Sequence, residues 1–133
     1  MISNKANDSA TVVALLHASP IEFHMSGSRF FGGHTEGSDW DFFTKDTPET
    51  RGFLEFSGFE KLRRKYYGGN HIKNNANAVY RLGKVDVQLI DDPELKLKAQ
   101  DILQSSPAII KNFLNNKVSA KELWDWVYTI LER

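Results

Sequence analysis

The fold of this chain is decided by the stretch SGSRFFGGHTEGSDWDFF, which runs from Ser26 to Phe43. It opens with a turn of small residues that ends at Ser28, and ten residues then separate Ser28 from Asp39. Asp39 and Asp41 stand one residue apart among large apolar side chains. This alternation is typical of a β-strand, so we predict a strand over Asp39–Phe43.

The two aspartates on this strand need a partner of opposite charge. In a strand, residues i and i+2 point to the same face and lie roughly 6.5–7 Å apart, which places the carboxylates of Asp39 and Asp41 side by side. Two such carboxylates repel each other and lose hydration unless a cation lies between them. Hard divalent cations such as Mg²⁺ prefer carboxylate and phosphate oxygens. The pair therefore predicts a metal site.

A third carboxylate occurs in a similar setting, at Asp86 within the run VDVQL. The three aliphatic residues of this run are predicted to face one side of a strand, and Asp86 and Gln88 the other. If this strand pairs next to residues 39–43, three carboxylates converge. Three carboxylates can hold two magnesium ions, one on an attacking oxygen and one on a triphosphate. We therefore predict that Asp39, Asp41 and Asp86 are metal ligands.

The small-residue turn before the aspartates has the chemistry of a phosphate-binding loop. Glycine at Gly27 lets the backbone approach a phosphate closely, and the Ser28 hydroxyl and neighbouring amides can donate hydrogen bonds to phosphate oxygens. Arg29 adds a planar cationic group that suits phosphate. We assign these three residues, together with Ser38, to a nucleotide-binding site.

In combination, SGSR, ten intervening residues, DWDFF and the later VDVQL resemble the nucleotidyltransferase superfamily that includes DNA polymerase beta. In size the chain is most similar to the small stand-alone minimal nucleotidyltransferases. The resemblance implies that Gly27 and Ser28 bind the triphosphate and that Asp39 and Asp41 ligate both metal ions. It implies that Asp86 ligates the catalytic metal and helps to deprotonate the acceptor hydroxyl, which makes all three aspartates catalytic residues.

The resemblance gives two functional expectations from different classes. The first is an enzyme that uses Mg²⁺ or Mn²⁺ to transfer a nucleoside monophosphate from a nucleoside triphosphate to a hydroxyl, with release of pyrophosphate. Its acceptor is open: an RNA end, a protein or a small molecule, with a partner protein that completes the substrate site. The second is a catalytically silent protein of the same fold that acts as a binding or regulatory module.

The remaining pattern predicts an α+β (α/β-like) fold with a mixed sheet of about four to five strands, helical cover and C-terminal helices. We expect a single domain over residues 1–133, with a core at about 9–91 and a helical segment at about 92–133. Gly83–Lys84 between two alternating runs predicts a hairpin. The other predicted elements are helices at Ser9–Ser19, from Pro48 to Gly58, from Pro93, from Pro107 and after Ser119, and strands at Ile21–Met25 and Phe59–Tyr67.

Composition excludes several classes of site. The 133 residues include 17 basic and 17 acidic side chains, so global charge does not predict attraction to nucleic acid or to a membrane. The absence of cysteine excludes disulfides, thiolate zinc sites and a cysteine nucleophile. No stretch approaches the roughly 20 apolar residues of a membrane span. We expect a soluble, cytoplasmic protein with no membrane partner.

Two aromatic segments allow alternative interpretations. The run KLRRKYY at Lys61–Tyr67 suits contact with a nucleic-acid backbone and stacked bases, but a run of charges is more often a solvated strand face. The C-terminal run LWDWVYTILER has the spacing of a core-packing helix. The alternative is that Trp124 and Tyr128 of this run form an exposed aromatic patch.

Overall fold

The computed structural model describes residues 8–63, 76–115 and 120–131. These residues form one five-stranded mixed sheet and six helices, which confirms the predicted α+β class and the helical C-terminal segment. In chain order the elements are α1 Ser9–Ala18, β1 His24–Ser26, α2 Gly27–Phe31, β2 Trp40–Lys45, α3 Pro48–Phe56, β3 Glu60–Lys61, β4 Ala78–Leu82, β5 Val85–Ile90, α4 Pro93–Gln104, α5 Pro107–Leu114 and α6 Ala120–Leu131.

The sheet brings the two acidic strands together at its centre. Its strand order is β1-β2-β5-β4-β3, and β2 and β5 are parallel while the other pairs are antiparallel. β4 and β5 form the predicted hairpin, and Gly83 in its turn has a φ of 61°, a value that glycine adopts without strain. The predicted neighbours 39–43 and 85–89 are therefore adjacent strands.

Opposite faces of the sheet bury different side chains, because successive strand residues alternate between faces. The first face carries the largest core cluster, which includes Phe42, Val85, Val87 and Leu89 together with residues of α1 and α3. This confirms the predicted grouping of the three aliphatic residues of β5. The second face carries Phe43, Val79 and Ile90.

The C-terminal helices form a cluster of their own around Leu103, Leu123 and Val127. Trp124 is 5 % exposed and Tyr128 1 % exposed, so both belong to this core and the alternative of an exposed patch at these two residues is wrong. The spacing argument for a core-packing helix is confirmed.

Helix ends follow the local chemistry of the chain. The Thr47 hydroxyl accepts a hydrogen bond from the Thr50 N–H at 3.1 Å, and Pro48 begins α3. Beyond the end of α3, Gly58 has a φ of 99° and the Phe59 N–H donates to the Leu54 carbonyl at 2.9 Å. The predicted start and stop signals of this helix are confirmed.

Three predicted strands differ from the observed ones. β2 covers Trp40–Lys45 rather than Asp39–Phe43, so Asp39 lies just before it. β1 covers His24–Ser26 rather than Ile21–Met25, because the preceding segment contacts β2 through a side chain: the Thr44 hydroxyl donates to the Glu22 carbonyl at 2.7 Å. β3 is only two residues long, and most of the predicted strand Phe59–Tyr67 lies outside the described residues. Ser119, after which the last helix is predicted to begin, also lies outside the described residues. Among the described helices, none has the length and apolar character needed to cross a membrane.

Candidate active site

A row of polar side chains crosses the sheet at the level of the predicted acids. Ser26 on β1 is the ladder partner of Asp41 on β2, Asp41 is the partner of Asp86 on β5, and Asp86 is the partner of Arg81 on β4. Ladder partners share a face, and adjacent strands lie about 4.8 Å apart. The structure therefore brings Asp41 and Asp86 together as direct neighbours.

Asp39 joins this row from the residue before β2. Its side chain is 46 % exposed, and the Arg81 Nη2 donates to Asp39 Oδ1 at 3.5 Å. The Nη1 of the same guanidinium donates to Asp86 Oδ1 at 3.0 Å and to Asp86 Oδ2 at 2.9 Å. One arginine thus contacts two of the three predicted carboxylates.

The electrostatic state of the acids reflects their crowding. The pKa of Asp41 is raised to about 6, first by burial and then by the negative charges of Asp86 and Asp39. Arg81 and Lys96 act in the opposite direction but do not cancel these effects. The pKa of Asp86 is also raised, mainly by burial, against the lowering effect of Arg81. Ionisation of both carboxylates thus costs more in the folded chain than it does in water.

The Gly-Ser turn has a structural connection to these acids. Gly27 begins α2 with a φ of 70°, and a Cβ at this position would overlap Oδ2 of Asp41. Only glycine combines the left-handed backbone with this close approach. Ser28 follows as the second residue of α2 and is half-buried. The turn predicted to bind phosphate therefore lies directly against one of the acids predicted to bind metal.

Arg29 organises the loop between α2 and β2. Its Nη2 donates to the carbonyls of Thr35, Glu36 and Ser38 at 3.3, 3.0 and 2.9 Å, and its guanidinium lies 4.1 Å from the centre of the Trp40 ring. The Ser38 hydroxyl accepts from the Thr35 N–H at 2.9 Å. Arg29 and Ser38, two of the four residues predicted to bind a nucleotide, thus hold the loop that leads to Asp39, and their role toward a nucleotide stays a prediction.

Lys84 of the hairpin turn holds the same loop from the other side. Its Nζ donates to the Gly37 carbonyl at 3.1 Å, and its own carbonyl accepts from the Trp40 N–H at 2.8 Å. The loop before Asp39 is thus tied both to α2 and to the β4–β5 turn. This double attachment fixes the backbone position of Asp39 at the end of the loop.

A second cation, Lys96 of α4, reaches the acidic face from the C-terminal helices. Lys96 is 3 % exposed, and its Nζ lies 5.3 Å from the Phe43 ring centre and 4.6 Å from that of Trp124. Burial lowers its pKa to about 8, and the charge of Asp41 partly opposes this shift. The helical segment therefore contributes a charged group to the environment of Asp41.

Sequence reasoning did not single out Arg81 or Lys96. For Arg81 a signal was present, because a two-residue hairpin turn at Gly83–Lys84 places Arg81 opposite Asp86. For Lys96 no signal of comparable strength exists, since its position depends on how α4 packs against the sheet.

The donor chemistry of the site fits a hard divalent cation, because carboxylates supply the oxygen ligands that Mg²⁺ and Mn²⁺ prefer. Within residues 8–63, 76–115 and 120–131, however, no three His, Asp or Glu side chains are already arranged as a ligand set. Metal binding at Asp39, Asp41 and Asp86 stays a prediction.

Comparison of the chain with models of protein families, with curated proteins and with solved structures gives no match. The likeness to nucleotidyltransferases therefore rests on the motifs alone.

Proposed function

We propose that this protein is a metal-dependent nucleotidyltransferase, which transfers a nucleoside monophosphate from a nucleoside triphosphate to a hydroxyl acceptor. The observation that carries the proposal is the pairing of Asp41 with Asp86 across two parallel strands, with Asp39 joined to the same site through Arg81. Burial and the charges of Asp86 and Asp39 raise the pKa of Asp41, and clustered carboxylates with raised pKa values are candidates for a functional site.

The proposed chemistry assigns separate tasks to the acids. A divalent cation, when bound, supplies charge neutralisation at the triphosphate and at the attacking oxygen. Asp39 and Asp41 would hold it, and Asp86 would be a further ligand of the cation at the attacking oxygen. Asp86, whose raised pKa makes it a stronger base, accepts the proton of the acceptor hydroxyl. The oxygen then forms a bond to the α-phosphorus, the bond between the α-phosphorus and the bridging oxygen breaks, and pyrophosphate leaves.

The position of the turn supports a nucleotide on this side of the sheet. The Gly27 backbone lies against the Asp41 carboxylate, so phosphates held by a cation at Asp41 would meet the turn at Gly27 and Ser28. Arg29 acts indirectly in this proposal, because its guanidinium is bonded to loop carbonyls. It keeps Asp39 in register with the other two acids.

Incubation with nucleoside triphosphates labelled at the α-phosphate tests the proposal. Each of the four nucleotides is supplied with Mg²⁺ or Mn²⁺, in parallel with RNA, with protein and without an added acceptor. We expect label to be transferred by the wild type and not by Asp86→Ala. Transfer at equal rates by both proteins would remove Asp86 from the mechanism and the proposal with it.

A second candidate function, a catalytically silent binding module, is favoured by one observation. Arg81 already neutralises charge on Asp86 and Asp39, as a metal ion would. If the ion pair is permanent, the acids are structural. Absence of both metal binding and nucleotide binding in the wild type would favour this second function.

A further inference from the structure

The ion pair of Arg81 occupies the oxygens that a metal would need. Both carboxylate oxygens of Asp86 accept from Arg81 Nη1, at 3.0 and 2.9 Å, and Asp39 Oδ1 lies 3.5 Å from Nη2. The Asp86 side chain is only 18 % exposed, so water competes weakly for these contacts. Two of the three carboxylates are therefore engaged by a charge from the chain itself.

This ion pair is set by the backbone and is more than a chance contact between long side chains. Arg81 and Asp86 are ladder partners in a hairpin whose turn has two residues. Side chains of antiparallel partners stand about 4.5–5.5 Å apart at Cβ, so the guanidinium can reach Asp86 on the face that the two residues share. The hairpin register thus places a cation beside the acids.

We propose that Arg81 competes with the divalent cation for Asp86 and Asp39, so that the metal is held only when the ion pair opens. The inference rests on the proposed function, because it assumes that the same acids hold the metal. Two cations on the same oxygens repel each other, and each carboxylate has a limited set of lone pairs. Arg81 is then the residue that sets the metal affinity of the site.

The competition has a consequence for the order of binding. A guanidinium released into a partly buried site needs a new anionic partner. A triphosphate that arrives with the metal supplies phosphate oxygens, which arginine binds in a bidentate manner. The metal with a nucleotide should therefore open the ion pair more readily than the metal alone. In the free protein the ion pair of Arg81 stays intact.

Calorimetric titration with Mn²⁺ alone tests the competition. The wild type is compared with Arg81→Met, which keeps the apolar stem and removes the charge. Lys45→Met is the matched control, because Lys45 is an exposed cation on β2, four residues and roughly 13 Å along the strand from Asp41. We expect Arg81→Met to bind Mn²⁺ about tenfold more tightly, which is the lower end of the coupling energies measured for close charge pairs, with no such gain in Lys45→Met.

Other outcomes separate this inference from the proposed function. If the wild type binds Mn²⁺, Asp41→Asn abolishes the binding and Arg81→Met leaves it equal or weaker, the competition is refuted while the metal site stands. If neither the wild type nor Arg81→Met binds Mn²⁺, both proposals fail.

A measurement on the wild type alone decides the case in which Arg81→Met does not fold. Carbon and nitrogen NMR signals of the Asp86 carboxyl and the Arg81 guanidinium are followed on addition of Mg²⁺, and of Mg²⁺ with a non-hydrolysable ATP analogue. Opening of the pair predicts that both signals move together, and further with the analogue present. Movement of the carboxyl signals with an unchanged Arg81 signal would refute the competition.

Discussion

Replacing Asp41 with asparagine should stabilise the metal-free protein at neutral and alkaline pH. The pKa of Asp41 is raised from an ordinary value of 3.8 to about 6, so the folded state holds the proton more tightly than the unfolded state. Stability contributed by a raised carboxyl pKa is present at low pH and is lost as the pH rises from about 4 through about 6. Each pKa unit corresponds to about 1.4 kcal/mol, which gives a penalty of about 3 kcal/mol at pH 8.

Asparagine has the shape of the carboxyl group and no charge, so it removes this penalty. We expect Asp41→Asn to raise the free energy of unfolding by up to about 3 kcal/mol at pH 8 and by only about 1 kcal/mol at pH 4.5. The assay is urea unfolding at the two pH values in the presence of EDTA. Asp101→Asn, an exposed acid on α4, is the control and should change stability by less than about 0.5 kcal/mol.

The dependence of this gain on pH distinguishes an electrostatic effect of the carboxylate from other effects of the substitution. A loss of stability in Asp41→Asn at pH 8 would show that the carboxylate is satisfied by Arg81 and Lys96. An equal gain at both pH values would show that its effect is not electrostatic. Either result would contradict the claim that the ionised Asp41 carboxylate destabilises the metal-free protein.

Three further substitutions test the backbone at Gly27 and the ion pair between Arg51 and Asp46. Gly27→Ala should lower stability by more than about 2 kcal/mol by thermal or urea unfolding, because a left-handed backbone disfavours alanine by about 1–2 kcal/mol and the new Cβ would also overlap the Asp41 carboxylate. Gly52→Ala, in the interior of α3 with open space around it, should instead stabilise by up to about 1 kcal/mol, and a loss of equal size in both variants would contradict the account. Arg51→Ala should destabilise by about 1.5–3 kcal/mol at pH 7, because Arg51 donates to both oxygens of Asp46 at 2.8 and 3.0 Å and holds the pKa of that carboxyl below its ordinary value. That loss should shrink as the pH falls below 3.8, where Asp46 takes up its proton and the pair weakens, and a loss independent of pH would show that the ion pair is not its cause.

The central part of the fold could be predicted because its signals are local. Alternation over residues 39–43 and 85–89 and a two-residue glycine turn determine which side chains share a face. Convergence of Asp41 and Asp86 follows once these strands are neighbours, and the structure places them so. β1 was predicted less well, since its start depends on a contact between Thr44 and the chain at Glu22, far apart in sequence.

The cations of the site show where sequence reasoning stops. The hairpin register places Arg81 opposite Asp86, but the acidic motif by itself does not indicate this arginine. Lys96 is near Asp41 only because α4 packs on the sheet, and a local sequence pattern does not predict how a helix packs. The bonds of Arg29 to three loop carbonyls depend on how a loop with glycines at Gly32 and Gly33 folds back, which spacing does not specify.

Binding of a nucleoside triphosphate together with Mn²⁺ tests the central claim most directly, because it needs no knowledge of the acceptor. Equilibrium binding of a fluorescent, non-hydrolysable nucleotide analogue is measured for the wild type and for Asp41→Asn, each with Mn²⁺ and with EDTA. We expect binding only by the wild type and only with Mn²⁺. Binding that persists in EDTA or in Asp41→Asn, or no binding by the wild type, would contradict a metal-dependent nucleotide site at these acids.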